Sequence, residues 1–186
     1  MANTYTQITI QAVFTPFGRC ALIPYHIKGD LCKYITGIVS AKKQKMLAIN
    51  CLPDHLHRLV GMDPDLSVST LLQHVKAASS RWINRERLLP VKFSWQKGFG
   101  AFSYSKSQRQ RVIKYIEYQE THHREKSFKE EYLNMLLRSE VPFDTKFMFE
   151  FYDDVRSWDT APGMTKTTTE ILVIRPLSES VEHQSD

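Results

Sequence analysis

Cysteine is scarce in this sequence, and long apolar runs are missing from it. The three cysteines, Cys20, Cys32 and Cys51, are odd in number and show no C-x-x-C spacing, which argues against a disulfide framework or a zinc knuckle. No apolar run approaches the ~18 residues that a membrane span needs, and residues 1–5 lack the basic segment of a signal peptide. We therefore expect a protein of the reducing cytoplasm with no membrane partner.

Charge is unevenly distributed along the 186 residues. The formal net charge is +5, and residues 151–186 carry seven acidic and three basic side chains, which leaves about +9 on residues 1–150. A basic body favours a polyanionic partner such as nucleic acid. We expect one domain over residues 1–152 and a largely flexible acidic tail over 153–186, in which 171–174 could add an edge strand.

Hydrophobic periodicity predicts the order of the secondary-structure elements, because alternation indicates strands and apolar spacings of three and four indicate helices. In chain order these are a strand at 6–14, a helix at 30–43, hairpin strands at 45–52 and 55–62, a helix from 67 to about 87, a glycine-interrupted strand at 91–103, a helix from 105 or 107 to about 124, and a shorter helix at 128–138. This order predicts an α+β, ferredoxin-like split βαβ fold. Its four-stranded antiparallel sheet would carry two helices on one face and an appended helix on the other.

Two histidines stand two residues apart in the second hairpin strand. Side chains alternate between the faces of a strand, so His55 and His57 would point the same way, about 7 Å apart, and could reach one ion. The alternative is that both simply line a polar face of the sheet. By itself the pair is half of a metal site.

The helix predicted at 105–124 carries a second polar group. Tyr115, Gln119 and one of His122 and His123 are spaced to share one stripe of that helix. Taken singly, Gln119 is typical of a solvated helix, Tyr115 of a core position, and the two histidines of a helix C-terminus. Together they would project a phenol, an amide and an imidazole towards the sheet.

A strand His-x-His followed by a helix Tyr-x-x-x-Gln resembles the single-tyrosine HUH transposases of the insertion sequence 200/605 family. The similarity runs from about residue 6 to residue 152. It includes the segments 52–57, 76–84, 93–103 and 119–123.

The resemblance implies a metal-dependent transposase acting on single-stranded DNA. His55, His57 and Gln119 would hold Mg²⁺ or Mn²⁺, and Tyr115 on the appended helix would be the nucleophile that forms a 5′-phosphotyrosine and releases a 3′-hydroxyl. His122 and His123 could support the site. The family recognises hairpins at the ends of its mobile element and acts as a homodimer, so terminal DNA hairpins and a second copy of the chain are the expected partners.

Basic and aromatic side chains near these motifs could contact DNA phosphates and stack on unpaired bases. The candidates are Lys76, Arg81, Arg85, Trp95, Lys97, Lys106, Arg109, Arg111 and Lys114. For Trp95 a place in the hydrophobic core is an equal alternative.

Two other functions remain open. A domesticated relative could bind nucleic-acid hairpins without strand transfer, and a hydrolase could use His122 or His123 in place of Gln119 with water as the nucleophile. The tail beyond about residue 155 lies outside the resemblance. Arg58 departs from the family pattern on the strand face opposite the histidines, where its charge is awkward unless the stem reaches an edge.

Overall fold

The computed structural model describes residues 5–18, 22–123 and 126–152. The strands are β1 (Ile8–Phe14), β2 (Lys45–Cys51), β3 (Leu56–Met62) and β4 (Gly100–Ser103). The helices are α1 (Tyr25–Ala41), α2 (Val68–Arg85), α3 (Arg109–Glu117), α4 (Gln119–His122) and α5 (Phe128–Arg138), and a 3-10 turn covers Thr145–Phe147.

The four strands form one antiparallel sheet in the order β2-β3-β1-β4. The register pairs Val13 with His57 and Ala12 with Arg58, and partners in an antiparallel register share a face. Successive residues of β3 therefore serve opposite faces. The predicted α+β fold with its four-stranded antiparallel sheet is confirmed.

One face of the sheet is covered by α1 and α2. Helix α1 presents Ile27, Leu31, Ile35 and Val39, four residues apart, and this stripe packs with apolar residues of α2 and the sheet in the main core. Helix α2 begins after Ser67, whose side chain caps it by accepting a hydrogen bond from the backbone N–H of Thr70.

The other face is covered by α3 and α5. Val112 and Ile116 of α3 pack on Ala48 and Leu59 of the hairpin, and α5 packs on the β1–β4 side of the sheet. A capping box between Ser127 and Glu130 fixes the start of α5 at the predicted residue. The face of the sheet that carries the two histidines is therefore covered by α3 and α5.

Three predicted boundaries were wrong. Helix α1 begins at Tyr25 instead of residue 30, because Ile27 is already part of its buried stripe. The fourth strand is confined to Gly100–Ser103, since Gly98 turns the chain with φ of 79° and residues before it pair only at the Pro16–Trp95 bridge. The predicted helix at 105–124 begins at Arg109 and breaks at Tyr118.

Arg58 does not reach an edge of the sheet. It lies on the central strand β3 with 1% of its surface exposed, facing the layer of α1 and α2. Within the described ranges no helix is long and apolar enough to cross a membrane. The domain boundary at 152 stays a prediction, and the predicted edge strand at 171–174 lies outside the described residues.

Candidate active site

His55 and His57 form the sheet side of the site. Both imidazoles are fully buried, and their ring centroids lie 5.0 Å apart. His55 Nδ1 lies 2.7 Å from Asp54 Oδ1, and His57 Nδ1 lies 3.0 Å from the amide nitrogen of Gln11. The Nε2 atoms of both rings are buried without a hydrogen bond. Neighbouring side chains thus hold each ring by Nδ1 and leave Nε2 turned towards the site, as is usual for metal-binding histidines.

Tyr115 and Gln119 lie across this pair. The half-buried Tyr115 ring stands edge-on to the His57 ring at 6.1 Å, and Gln119 is fully buried. The predicted helix residues and the predicted strand residues therefore meet in one place.

Asn50 fixes the helix that carries Tyr115. This buried side chain lies beside His57 in the sheet register, and its Nδ2 donates to the carbonyl oxygen of Ile116 at 2.8 Å. Because this bond occupies a carbonyl that the next helical turn would use, it coincides with the break at Tyr118. Sequence reasoning missed Asn50; an asparagine inside a predicted apolar strand was the available signal.

His122 and His123 are adjacent in the sequence but contact different residues of the site. The His122 ring lies 5.0 Å from the Tyr115 ring, and the His123 ring lies 4.5 Å from the His55 ring. His123 Nδ1 lies 3.1 Å from the carbonyl oxygen of Lys126, which can only accept, so Nδ1 carries the proton. His123 therefore belongs to the histidine cluster, whereas His122 contacts the nucleophile candidate.

Helix α5 contributes two residues that the sequence reasoning missed. The Phe128 ring stacks on the His55 ring at 4.1 Å, and Glu131, three residues later on the same face, accepts hydrogen bonds from the Tyr115 hydroxyl and the Gln119 amide. The available signal was a charge on the apolar stripe of a helix, since Phe128, Tyr132 and Leu136 are all buried. A glutamate with no role beyond solvation would lie on the exposed side of α5 and not beside this buried stripe.

Burial and neighbouring charges shift the histidines in different directions. Burial lowers the pKa of His55, but the charge and hydrogen bond of Asp54, together with Glu131 and Gln119, outweigh burial and the net pKa is raised. For His57 burial dominates over the attraction of Glu131, and the pKa is lowered. Burial, with His55 and His57 nearby, lowers the pKa of His123 to about 2. His57 and His123 are thus neutral imidazoles at pH 7, the form that binds metals.

The donor set fits a divalent cation. One atom from each of His55, His57, His123 and Glu131 lies within 4.8 Å of the others. Three of the buried polar atoms here, the two Nε2 atoms of the β3 pair and Glu131 Oε2, lack a hydrogen-bond partner. Unpaired acceptors that converge in a buried space are costly unless a cation or donor joins them.

The candidate DNA-binding residues do not form one surface. Arg81 and Arg85 are exposed on α2, on the sheet face away from the histidines, where they line a cavity of about 360 Å³ with the stacked Tyr34 and Trp82. Arg109, Arg111 and Lys114 belong to α3, the helix of Tyr115, and Lys106 precedes it. Exposed Lys97 lies in the loop before β4.

Two of these candidates are largely buried. Trp95 is 8% exposed, packs against Phe14 and donates its indole N–H to Ser79 at 2.9 Å. Of its two alternatives the core position is the one observed, so the prediction that Trp95 stacks on bases was wrong. Lys76 donates to the backbone carbonyls of Gln96 and Gly98, which occupies its ammonium.

A match to a protein-family model gives the class of this protein, a DNA transposase. The chain belongs to the IS200-like transposase family, whose model matches residues 4–119. A comparison with curated proteins found no match.

Two solved structures are similar to this chain. A candidate transposase of Deinococcus radiodurans R1 is 17% identical with a TM-score of 0.50, and the match covers 64% of this chain and 95% of that one. A REP-associated tyrosine transposase bound to a REP hairpin is 16% identical with a TM-score of 0.50, covering 66% and 73% of the two chains. At these identities the likeness concerns the fold.

Proposed function

We propose that this transposase cleaves and rejoins single-stranded DNA by transesterification through a covalent phosphotyrosine at Tyr115. One observation carries the proposal: the hydroxyl of Tyr115 contacts Glu131 inside the same buried cluster that holds His55 and His57. A phenol beside such a cluster is well placed for nucleophilic attack. Because the chain belongs to a transposase family, DNA is the expected target of that attack.

The cleavage step needs no nucleotide cofactor. Tyr115 Oη loses its proton and attacks the scissile phosphorus, the Oη–P bond forms, and the P–O3′ bond breaks. The departing 3′-oxygen takes up a proton and leaves as a 3′-hydroxyl. Because the phosphotyrosine replaces one phosphodiester by another, a second 3′-hydroxyl can reverse the step and rejoin the strands.

His55, His57 and Gln119 would hold the divalent cation, which the resemblance implies is Mg²⁺ or Mn²⁺. When bound, the cation would polarise the scissile phosphate and stabilise the developing charge. The protein's own part is positioning: Asn50 holds the end of α3, and Glu131 orients the Tyr115 hydroxyl.

Hairpins at the ends of a mobile element are the proposed substrate. The structural neighbour bound to a REP hairpin supports this class of ligand, and the basic side chains of α3 lie on the helix that carries Tyr115. The homodimer stays a prediction. Tyr115 reaches the histidine cluster of its own chain, which supports a site assembled within one copy.

Covalent trapping tests the proposal. A labelled single-stranded hairpin oligonucleotide incubated with Mn²⁺ should give a denaturation-resistant adduct, and Tyr115→Phe should abolish it while DNA binding persists. Tyr118→Phe is the matched control, because that tyrosine is 64% exposed and three residues away. Chelation by EDTA should also prevent the adduct.

An adduct that survives in Tyr115→Phe would remove Tyr115 from the nucleophile role. Hairpin binding by the wild type with no adduct under any divalent cation would favour the alternative of a binding module without strand transfer.

A further inference from the structure

The two carboxylate oxygens of Glu131 have different surroundings. Oε1 accepts from the Tyr115 hydroxyl and from the Gln119 amide at 2.9 Å, so two donors satisfy it. Oε2 is buried, lies 2.8 Å from His123 Nε2 and 3.7 Å from His55 Nε2, and has no hydrogen-bond donor. One oxygen is committed to the nucleophile, and the other faces imidazole nitrogens.

In each of these imidazoles a neighbour engages Nδ1, and Nε2 faces the cluster. His123 donates from Nδ1 to the Lys126 carbonyl, so the neutral ring presents the Nε2 lone pair to Glu131 Oε2, 2.8 Å away. The same Nε2 lies 2.9 Å from Gln119 Oε1, another acceptor. His55 donates from Nδ1 to the Asp54 carboxylate, so that its buried Nε2, which has no hydrogen-bond partner, is the atom free to bind an ion. The unpaired Nε2 atoms of His55 and His57, His123 Nε2 and Glu131 Oε2 therefore converge on one buried space.

We propose that Glu131 joins the metal centre to the nucleophile: Oε2 is a direct ligand of the cation, together with His55, His57 and His123, while Oε1 holds the Tyr115 hydroxyl. This inference rests on the proposed function for the presence of the cation. It adds an anionic oxygen and a third imidazole to the predicted set of His55, His57 and Gln119.

The added ligands change the metal that the site should select. Three imidazoles suit first-row transition-metal dications, whereas Mg²⁺ prefers an all-oxygen shell and gives up its water reluctantly. The carboxylate also offsets one of the two cationic charges inside a buried site, which lowers the cost of placing the ion there. The site should therefore bind a transition-metal dication in preference to Mg²⁺.

Metal titration of the purified full chain tests the ligand role without using activity. Isothermal titration calorimetry with Co²⁺ and with Mg²⁺ should show Co²⁺ binding at least about tenfold more tightly in the wild type. Glu131→Gln should weaken Co²⁺ binding by about 10–100-fold or more, and the visible absorption of bound Co²⁺ should change with the lost ligand. Glu117→Gln, which replaces an exposed glutamate at the end of α3, should leave the affinity unchanged.

Folding of the variants is checked by the melting temperature of the metal-free proteins, and Glu131→Ala is measured in parallel. Equal Co²⁺ affinity and spectrum in a folded Glu131→Gln or Glu131→Ala protein would overturn the ligand role. Tighter binding of Mg²⁺ than of Co²⁺ by the wild type would overturn the selectivity.

The positioning role has its own measurement. Co²⁺ is supplied at concentrations that saturate each protein, and the rate of covalent attachment to a hairpin oligonucleotide is measured. The rate of Glu131→Gln should stay below that of the wild type, because bound metal does not restore the carboxylate that orients the Tyr115 hydroxyl. Full recovery at saturating metal would refute that role. If Glu131 governs Co²⁺ binding but no adduct forms in the wild type, the proposed function fails and the metal assignment stands. If the wild type forms the adduct but Glu131→Gln binds Co²⁺ as tightly as the wild type, the metal assignment fails and the proposed function stands.

Discussion

Replacing Arg58 by methionine should make the protein more stable. The guanidinium lies in the main core with 1% of the residue exposed, its Nε and Nη1 make no hydrogen bond, and no carboxylate among the described residues pairs with it. The guanidinium lies over the Phe14 ring, whose centroid is 5.8 Å away, and the Lys76 ammonium lies 5.1 Å from the centroid of the same ring. Two cations thus share one aromatic ring in a buried space.

The size of the effect follows from the pKa of Arg58, which burial lowers from 12.5 to about 9. At ~1.36 kcal/mol per pKa unit, keeping the charge in the folded protein costs about 5 kcal/mol. Because burial depresses the pKa of this base in the folded protein, the loss of folding stability has its full size below pH 9 and decreases as the pH rises towards 12.5. Loss of the contact with Phe14 offsets about 2 kcal/mol, so Arg58→Met should gain about 3 kcal/mol at neutral pH.

Urea denaturation at pH 7 measures this gain, and the melting temperature should rise by roughly 6–12 °C for a chain of this size. Arg81→Met is the matched control, because Arg81 is exposed on α2 and its replacement should change stability by less than about 0.5 kcal/mol. An Arg58→Met protein that is no more stable than the wild type would show that the guanidinium is satisfied in solution and that the burial argument is wrong.

Two further predictions concern the site. Asn50→Ala should lose the bond to the Ile116 carbonyl, cost about 1–3 kcal/mol in urea denaturation and slow covalent attachment about tenfold, because α3 is no longer fixed; an unchanged rate would contradict that anchoring. The metal-free protein should lose stability as pH falls below about 6.5, by up to ~1.36 kcal/mol per pH unit for His123, because unfolding lets this neutral base take up a proton. His123→Gln should flatten that pH profile of the melting temperature, and an unaltered profile would assign the acid sensitivity to other groups.

Local patterns of the sequence predicted most of the fold. Strand β1, the hairpin that carries the histidines, α2 with its Ser67 cap and α5 all follow from apolar periodicity and capping residues. The break at Tyr118 could not be predicted in this way, because it coincides with a tertiary bond from Asn50, 66 residues away.

The candidate site was predictable only where residues share a local motif. His55 with His57, and Tyr115 with Gln119, stand at spacings that one strand or one helix brings to a face. Glu131 lies on another helix, and nothing in its own neighbourhood marks it as a partner of Tyr115. Its position depends on how α5 docks on the sheet, which is a property of the whole fold.

The central position of β3 has a kinetic consequence for this site. A strand paired on both sides opens only when much of the sheet opens, so backbone amides around His57 should exchange hydrogen for deuterium among the slowest in the protein. Tyr115 belongs to a helix of nine residues that ends at a break, and its amides should exchange much sooner. The ion would then be bound by the part of the protein that opens most slowly. The attacking tyrosine would come from a segment that opens more readily and can therefore release one DNA strand and accept another.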